Sequence, residues 1–336
     1  MTATPKQLNI LFTSAGRRCE LLHAFRNAYR ALGLGGAITA VDANPLAPAL
    51  KIADRSYLVP RTEKSDYVAT LLRICRQERI DLIFPLTDPE LPLFACHRDE
   101  FAKAGSRLVL STERAVTISS DKWLTKSFFN HLDLPTPQSW LPGKDIPDPV
   151  SFPLFIKPRE GSGSARCFEV RNERELELFS SYVPNPILSE LLPGPEITSD
   201  VICDLNGQLL AVVSRQRIEV RGGEVAKGVT VFDPRISDAC RVIAQELCAI
   251  GPITVQCMMK DGVPHYTEIN ARFGGGVPLT IAAGADFPRW LLADAAGLKV
   301  SIPPVGSYTV GMYMTRFDDS HFITETEREQ MASRCF

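Results

Sequence analysis

The first hundred or so residues alternate short apolar runs with stretches of helical spacing. Leu8–Thr13, Ala37–Asp42, Asp81–Pro85 and Arg107–Leu110 are the runs, and each predicts a strand. Between them, Glu20–Leu32 and Tyr67–Gln77 repeat apolar residues at the period of an amphipathic helix. Such alternation builds a parallel sheet with helices on its faces. Ser120 or Asp121 can cap a further helix to about His131, which Leu134-Pro135 ends. From Pro135 to Pro153 prolines crowd the chain and periodicity vanishes, so this stretch predicts a connection to a second subdomain.

From Leu154 onward the pattern changes to strands joined by tight turns. Asn172 followed by Glu175 predicts a capping box opening a helix to about Ser181, and Ile236–Ile250 predicts another helix. Ile253–Met259 and His265–Asn270 read as strands joined at Lys260-Asp261-Gly262, and Tyr308–Phe317 as a closing core strand. The hairpin register decides which side chains meet. A three-residue loop with Gly262 at positive φ keeps Gln256 on the face of Glu268 and Asn270, and that loop is expected. A two-residue loop without a bulge would turn Gln256 to the other face.

Composition narrows the function classes. The chain has 336 residues and a formal net charge of -2, with acids and bases interspersed, which argues against a nucleic-acid binder. No apolar run reaches the ~20 residues of a membrane helix. The first apolar stretch is short and precedes the Arg17-Arg18 pair, the reverse of a secretory signal, so a cytoplasmic protein is expected. The nine cysteines form no Cys-x-x-Cys pair and read as free, buried thiols, and the five histidines show no metal-ligand spacing. The turn Ser14-Ala15-Gly16-Arg17-Arg18 lacks the three glycines of a dinucleotide site, so Asp42 reads as a turn cap.

Three segments carry candidate chemistry. Phe155-Ile156-Lys157-Pro158 leads into a loop containing Gly161, Ser162, Gly163 and Ser164, whose small residues let backbone N–H groups close over phosphate oxygens beside a lysine. In Ser189-Glu190-Leu191-Leu192-Pro193-Gly194-Pro195-Glu196, a strand and a Pro-Gly-Pro turn present a hinge able to read adenine through its backbone, with Glu196 toward ribose hydroxyls. The sharpest is Gln256 with Glu268-Ile269-Asn270-Ala271-Arg272. Residues two apart on a strand share a face, and these side chains supply the hard oxygens that magnesium prefers. Arg272 adds a planar fork of donors suited to a phosphate or carboxylate. The basic residues Arg215, Arg217, Arg221 and Lys227 are candidates for holding a carboxylate substrate, and the expected substrate set is Arg217 and Lys227 with Gly274 and Gly275.

The order of these motifs resembles the ATP-grasp superfamily, particularly its carbamoyl-phosphate-synthase large-chain-like members. It runs Asp121-Lys122, Ile156-Lys157-Pro158 with its glycine-rich loop, Glu190, Gly194-Pro195-Glu196, Gln256, then Glu268-x-Asn270-x-Arg272. The resemblance implies a mixed α/β and α+β fold: a Rossmann-like parallel-sheet domain over residues 1–111, then a two-lobed ATP-grasp domain. The small lobe would span 112–185 and the large lobe 186–336. It further implies that Lys122 and Lys157 contact nucleotide phosphates under the Gly161–Ser164 loop, and that Glu190 through Leu192 hold adenine and Glu196 ribose. Glu268, Asn270 and Gln256 would bind magnesium, or manganese in its place, and Arg272 would stabilise the transferred phosphoryl group.

The implied activity is ATP-dependent ligation of a small carboxylate to an amine or thiol through an acyl phosphate. The rivals are an enzyme that stops at the acyl phosphate, as a carbamoyl-phosphate-like synthase or carboxylate kinase would, and a non-catalytic nucleotide-binding regulator. Neither nucleic acid nor membrane is expected as a partner, and a homodimer is the default for a soluble enzyme. The run Phe273-Gly274-Gly275-Gly276 departs from the serine-rich stretch of the synthetase, which leaves the substrates open.

Overall fold

The computed structural model describes residues 5–143, 146, 150–161, 163 and 165–333, with side chains described as far as Glu329. The N-terminal alternation folds into a five-stranded parallel sheet made of β1 (Ile10–Thr13), β2 (Ile38–Asp42), β3 (Arg55–Leu58), β4 (Leu82–Pro85) and β5 (Arg107–Leu108). The order β3-β2-β1-β4-β5 places a topological switch between β1 and β4, whose C-terminal ends open a crevice. Asp42 caps that end, accepting from the N–H groups of Gly16 and Asn44 at 2.8 Å each. Sequence periodicity missed β3 because its residues are mostly half-exposed and carry no alternation.

A four-stranded antiparallel sheet follows: β6 (Ser139–Trp140), β7 (Leu154–Pro158), β8 (Phe168–Val170) and β9 (Pro186–Glu190), in the order β6-β9-β7-β8. Its core is small, with Leu154, Ile156, Val170, Val183 and Leu188 buried together among the described residues. The helix Glu173–Tyr182 covers it. Asn172 caps that helix by accepting from the Glu175 N–H, while Glu175 reaches back to the N–H of Arg171, one residue short of a reciprocal box.

The largest sheet has six strands: β10 (Glu196–Cys203), β11 (Leu209–Arg221), β12 (Glu224–Val231), β13 (Pro252–Lys260), β14 (Val263–Asn270) and β15 (Tyr313–Thr315). Their order is β14-β13-β10-β11-β12-β15. Two large apolar clusters run without a break from the N-terminal sheet into this one, so these two parts share a core. The expected core strand at Tyr308–Phe317 shrinks to the three residues of β15 at the sheet edge, where Tyr313 and Phe317 are exposed. The aromatic content there had suggested burial that the edge position does not provide.

The β13–β14 hairpin corrects the loop expectation and keeps its consequence. Lys260 pairs with Val263, so the loop has two residues, not three, with Asp261 and Gly262 at φ 50° and 75°. That register alone would invert Gln256. A bulge intervenes: Cys257 pairs with Tyr266 but Gln256 pairs with Glu268, leaving Thr267 as the extra residue. The bulge restores Gln256 to the face of Glu268 and Asn270.

Eight cysteines among the described residues are free. Cys75, Cys203, Cys240 and Cys257 are buried as expected, but Cys96 and Cys248 are exposed, and Cys335 lies outside the described residues. Among the described residues, no helix is long and apolar enough to cross a membrane.

Candidate active site

A cavity of about 830 Å³ lies where the three sheets meet. Its floor is one face of the six-stranded sheet. Thr198 of β10 pairs with Gln256 of β13, which pairs with Glu268 of β14, so three adjacent strands present these side chains side by side. Asn270 and Arg272 continue the row. Asn270 is buried, and its Oδ1 accepts from Arg272 Nη2 at 3.3 Å. Gln256, Glu268 and Asn270 thus offer one carboxylate and two amide oxygens to the cavity, a donor set that fits a magnesium ion keeping phosphate or water oxygens in its remaining positions.

The roof comes from the four-stranded sheet, which runs on to β9 past the expected lobe boundary at 185, and from the start of the helix Lys122–His131. Asp121 caps the helix Lys122–His131 and also pairs with Arg159, which ties this helix start to the end of β7. Lys122 Nζ donates to the carbonyl of Gly161 at 2.8 Å. Lys157 projects from β7 into the same cavity, and among the described residues its ammonium group makes no hydrogen bond or ion pair. Burial pushes its ammonium below the ordinary lysine value; Glu268 opposes that shift and Lys122 adds to it. Two lysines and Glu268 therefore face one space. Ser162 and Ser164, expected in the phosphate loop, lie outside the described residues.

The hinge has its own logic. A Cβ on Gly194 would lie 1.7 Å from the Met259 carbonyl, so only glycine lets the Pro193–Pro195 turn press against β13. The Met259 N–H donates to the Pro195 carbonyl at 3.0 Å, which fixes where Glu196 starts β10. Glu190, Leu191, Leu192 and Glu196 all line the cavity. Glu190 is held by Lys260 at 2.6 Å and by the Gln138 N–H at 3.0 Å. Against the opposing effect of burial, these hold its carboxyl below the usual range. Glu196 pairs with Arg217 at 2.6 Å.

The end wall is N-terminal. Arg18 from the turn after β1, with Leu86, Thr87 and Asp88 after β4, closes the cavity at the switch crevice. Asp88 forms an ion pair with Arg272, and Arg272 Nη1 donates to the Phe273 carbonyl at 3.0 Å. Phe273 packs its ring 6.1 Å from both Phe25 and Phe84, so an aromatic cluster anchors the end of the metal-site strand to the N-terminal sheet. Glu90, wholly buried, accepts from Ser14 Oγ (2.9 Å), Tyr67 OH (2.8 Å) and the N–H groups of Leu86 (2.9 Å) and Thr87 (3.1 Å). It sets both site-facing turns in place.

Of the four expected substrate residues, Gly274, Gly275 and Arg217 line the cavity. Lys227 does not. Its side chain is exposed on β12 and pairs with Glu219 at 2.6 Å, so it is removed from the site. Arg221 likewise pairs with Glu219 in solvent. Sequence reasoning passed over Arg18, Asp88, Glu90 and Glu224. The signal was there for Arg18 and Asp88, since both follow strands that flank the switch point of a parallel sheet. Glu90 and Glu224 gave none.

Residues 10–109 match the family model described as PylC-like, N-terminal domain, and residues 183–314 match ATP-grasp in the biosynthetic pathway with Ter operon. The 3-methyl-D-ornithine–L-lysine ligase of Methanosarcina barkeri is 24% identical over 264 residues, covering 77% of this chain and 67% of that one. The carbamoyl-phosphate synthase of Methanobrevibacter smithii is 26% identical over 167 residues, covering 48% of this chain and 44% of that one. The chain therefore spans two thirds of the first relative and less than half of the second. The fold is similar to that of N5-carboxyaminoimidazole synthetase from Staphylococcus aureus, solved with ADP, with a TM-score of 0.72 at 14% identity over 92% of this chain and 82% of that one.

Proposed function

Since this chain belongs to the ATP-grasp superfamily, we propose that it uses Mg-ATP to activate a small carboxylate as an acyl phosphate and joins it to an amine. The observation that carries this reading is the bulged hairpin, which sets Gln256, Glu268 and Asn270 on one face of the cavity that Lys157 also enters. Lys122 and Lys157 bind the phosphate tail, and the backbone at Gly161 and Gly163 covers it. Glu190, Leu191 and Leu192 hold adenine, and Glu196 the ribose hydroxyls. Gln256, Glu268 and Asn270 hold magnesium, which when bound neutralises charge on the transferring phosphoryl group. Arg272, oriented by Asp88 and Asn270, stabilises the same charge from the protein side. A carboxylate oxygen displaces ADP from the γ-phosphorus, the amine then attacks the acyl carbon, phosphate leaves, and the nitrogen sheds a proton.

The test is ADP and phosphate release from Mg-ATP with pooled carboxylates, with and without amines. Amine-dependent release is expected. Release with a carboxylate alone would place the end product at the acyl phosphate, and nucleotide binding with no turnover in any mixture would make the protein a regulator.

Lys157 gives a second check. Burial lowers its pKa, and phosphate anions would raise it again. At alkaline pH, between those two values, ADP binding should therefore take up protons; below both values it should take up none. Calorimetry of ADP binding in buffers of different ionisation enthalpy reads this directly, and Lys157→Met should remove it. Binding without proton uptake across the alkaline range would separate Lys157 from the phosphates.

A further inference from the structure

Arg18 differs from the other guanidiniums buried or half-buried along this cavity. Arg215 is held by Asp200, and Arg217 by Glu196 and the Gly223 carbonyl. Arg272 is held by Asp88, Asn270 and the Phe273 carbonyl. The Arg18 side chain makes no hydrogen bond among the described residues. Its one ion contact among them is Glu224 Oε1 at 3.3 Å, although the side chain is only 16% exposed. A guanidinium has five N–H donors, and leaving them unmatched in a desolvated site is costly. The nitrogens of Arg18 are not sealed inside protein; Arg18 forms the wall of the cavity.

Its surroundings are built to keep it there. A Cβ on Gly275 would stand 2.9 Å from Arg18 Nη1 and 3.1 Å from the Glu224 carboxylate, so glycine is what admits both. Behind them Arg316, which does not line the cavity, donates to the Gly275 carbonyl at 2.7 Å and contacts Glu224 at 3.3 Å. Burial lowers the Arg18 pKa; Glu224 and Asp88 oppose that, and Arg272 and Arg316 reinforce it. The cavity end thus presents two cations, Arg18 and Arg272, beside two anions, Asp88 and Glu224. A ligand that carries both signs matches that pattern.

We propose that Arg18 binds the carboxylate of an amino-acid substrate whose ammonium group faces Glu224 and Asp88. The inference rests on the ligase reading, in which this amino acid is the amine acceptor. Arg272 bonds Asn270 of the metal-ligand row, whereas the Arg18 guanidinium stands against Gly275 and Glu224. In this reading the carboxylate held at Arg18 is not the one activated, and the product keeps it free.

The test titrates protein saturated with Mg-ADP with amino acids, their carboxamides and the corresponding decarboxylated amines, read by calorimetry. Amino acids of a matching side chain should bind, and their carboxamides and decarboxylated forms should bind at least tenfold more weakly. Arg18→Gln should weaken amino-acid binding by about 10²-fold, the scale of a charge-assisted hydrogen-bonded pair, with ADP affinity unchanged as the control for folding. Arg18→Lys should recover part of the loss. In steady state, Arg18→Gln should raise KM for the amino acid and leave KM for ATP alone. The proposal is overturned if no amino acid binds, if carboxamides bind as tightly as the acids, or if Arg18→Gln binds them like the wild type. Simple amines driving ADP release equally well in both forms would sink the subsite and leave the ligase standing. Arg18-dependent amino-acid binding without ADP release in any mixture would do the reverse.

Discussion

Replacing Glu268 with Gln should lower ADP release by at least about 10²–10³-fold, the usual cost of losing one preorganised electrostatic contact in a transition state. The substitution keeps size and shape, so the bulged hairpin and its pairing with Gln256 should survive. What changes is the only carboxylate in the Gln256–Glu268–Asn270 set; the other two members are neutral amides and cannot replace its charge. The variant should also need more magnesium to reach half-maximal nucleotide binding, a readout independent of turnover. Because Glu268 favours the charged form of Lys157, its removal should lower the Lys157 pKa further and move the proton uptake on ADP binding to lower pH. Wild-type turnover with unchanged magnesium dependence would take Glu268 out of the mechanism.

What the sequence revealed followed from local chemistry. The strand ends with their polar residues, the Asp121 cap and the hinge glycine at 194 each need particular residue types at particular spacings. The hairpin shows where such reasoning stops. Asp261-Gly262 favours a two-residue turn with both residues at positive φ, and that preference won over the three-residue loop inferred from function. Gln256 still reached the right face because Thr267 bulges, and a bulge has no sequence signature when both strands are regularly apolar. The cations were misjudged for a related reason. Arg217, Lys227 and Arg18 look equivalent along the chain, but which of them has a partner depends on strands far apart in sequence. Only the fold shows that Arg217 and Lys227 each hold a partner at 2.6 Å while Arg18 has a 3.3 Å contact with Glu224 and no side-chain hydrogen bond among the described residues.

Removing the Asp200 carboxylate should be the most destabilising single change at the site. Asp200 and Arg215 are each 2% exposed, and both guanidinium contacts measure 3.2 Å. Thr280 donates to the same carboxylate at 2.6 Å. Asp200→Ala would leave a buried guanidinium without its counter-charge, which typically costs about 3–5 kcal/mol. Denaturant unfolding should show a lower midpoint of that size with an unchanged slope. Gly276→Ala should act on the same pair from the other side, since its Cβ would come within 2.3 Å of Arg215 Cζ. A buried pair of this kind is a poor source of stability compared with apolar packing. Its value here is positional, because Arg215 lines the cavity directly beneath Gly274 and Gly276. Asp200→Asn, which keeps a hydrogen-bond acceptor but loses the charge, should therefore retain more stability than Asp200→Ala and still weaken substrate binding. A loss below about 1 kcal/mol for Asp200→Ala would mean that water or a shifted neighbour satisfies Arg215, and the rigid floor inferred for this end of the cavity would not hold.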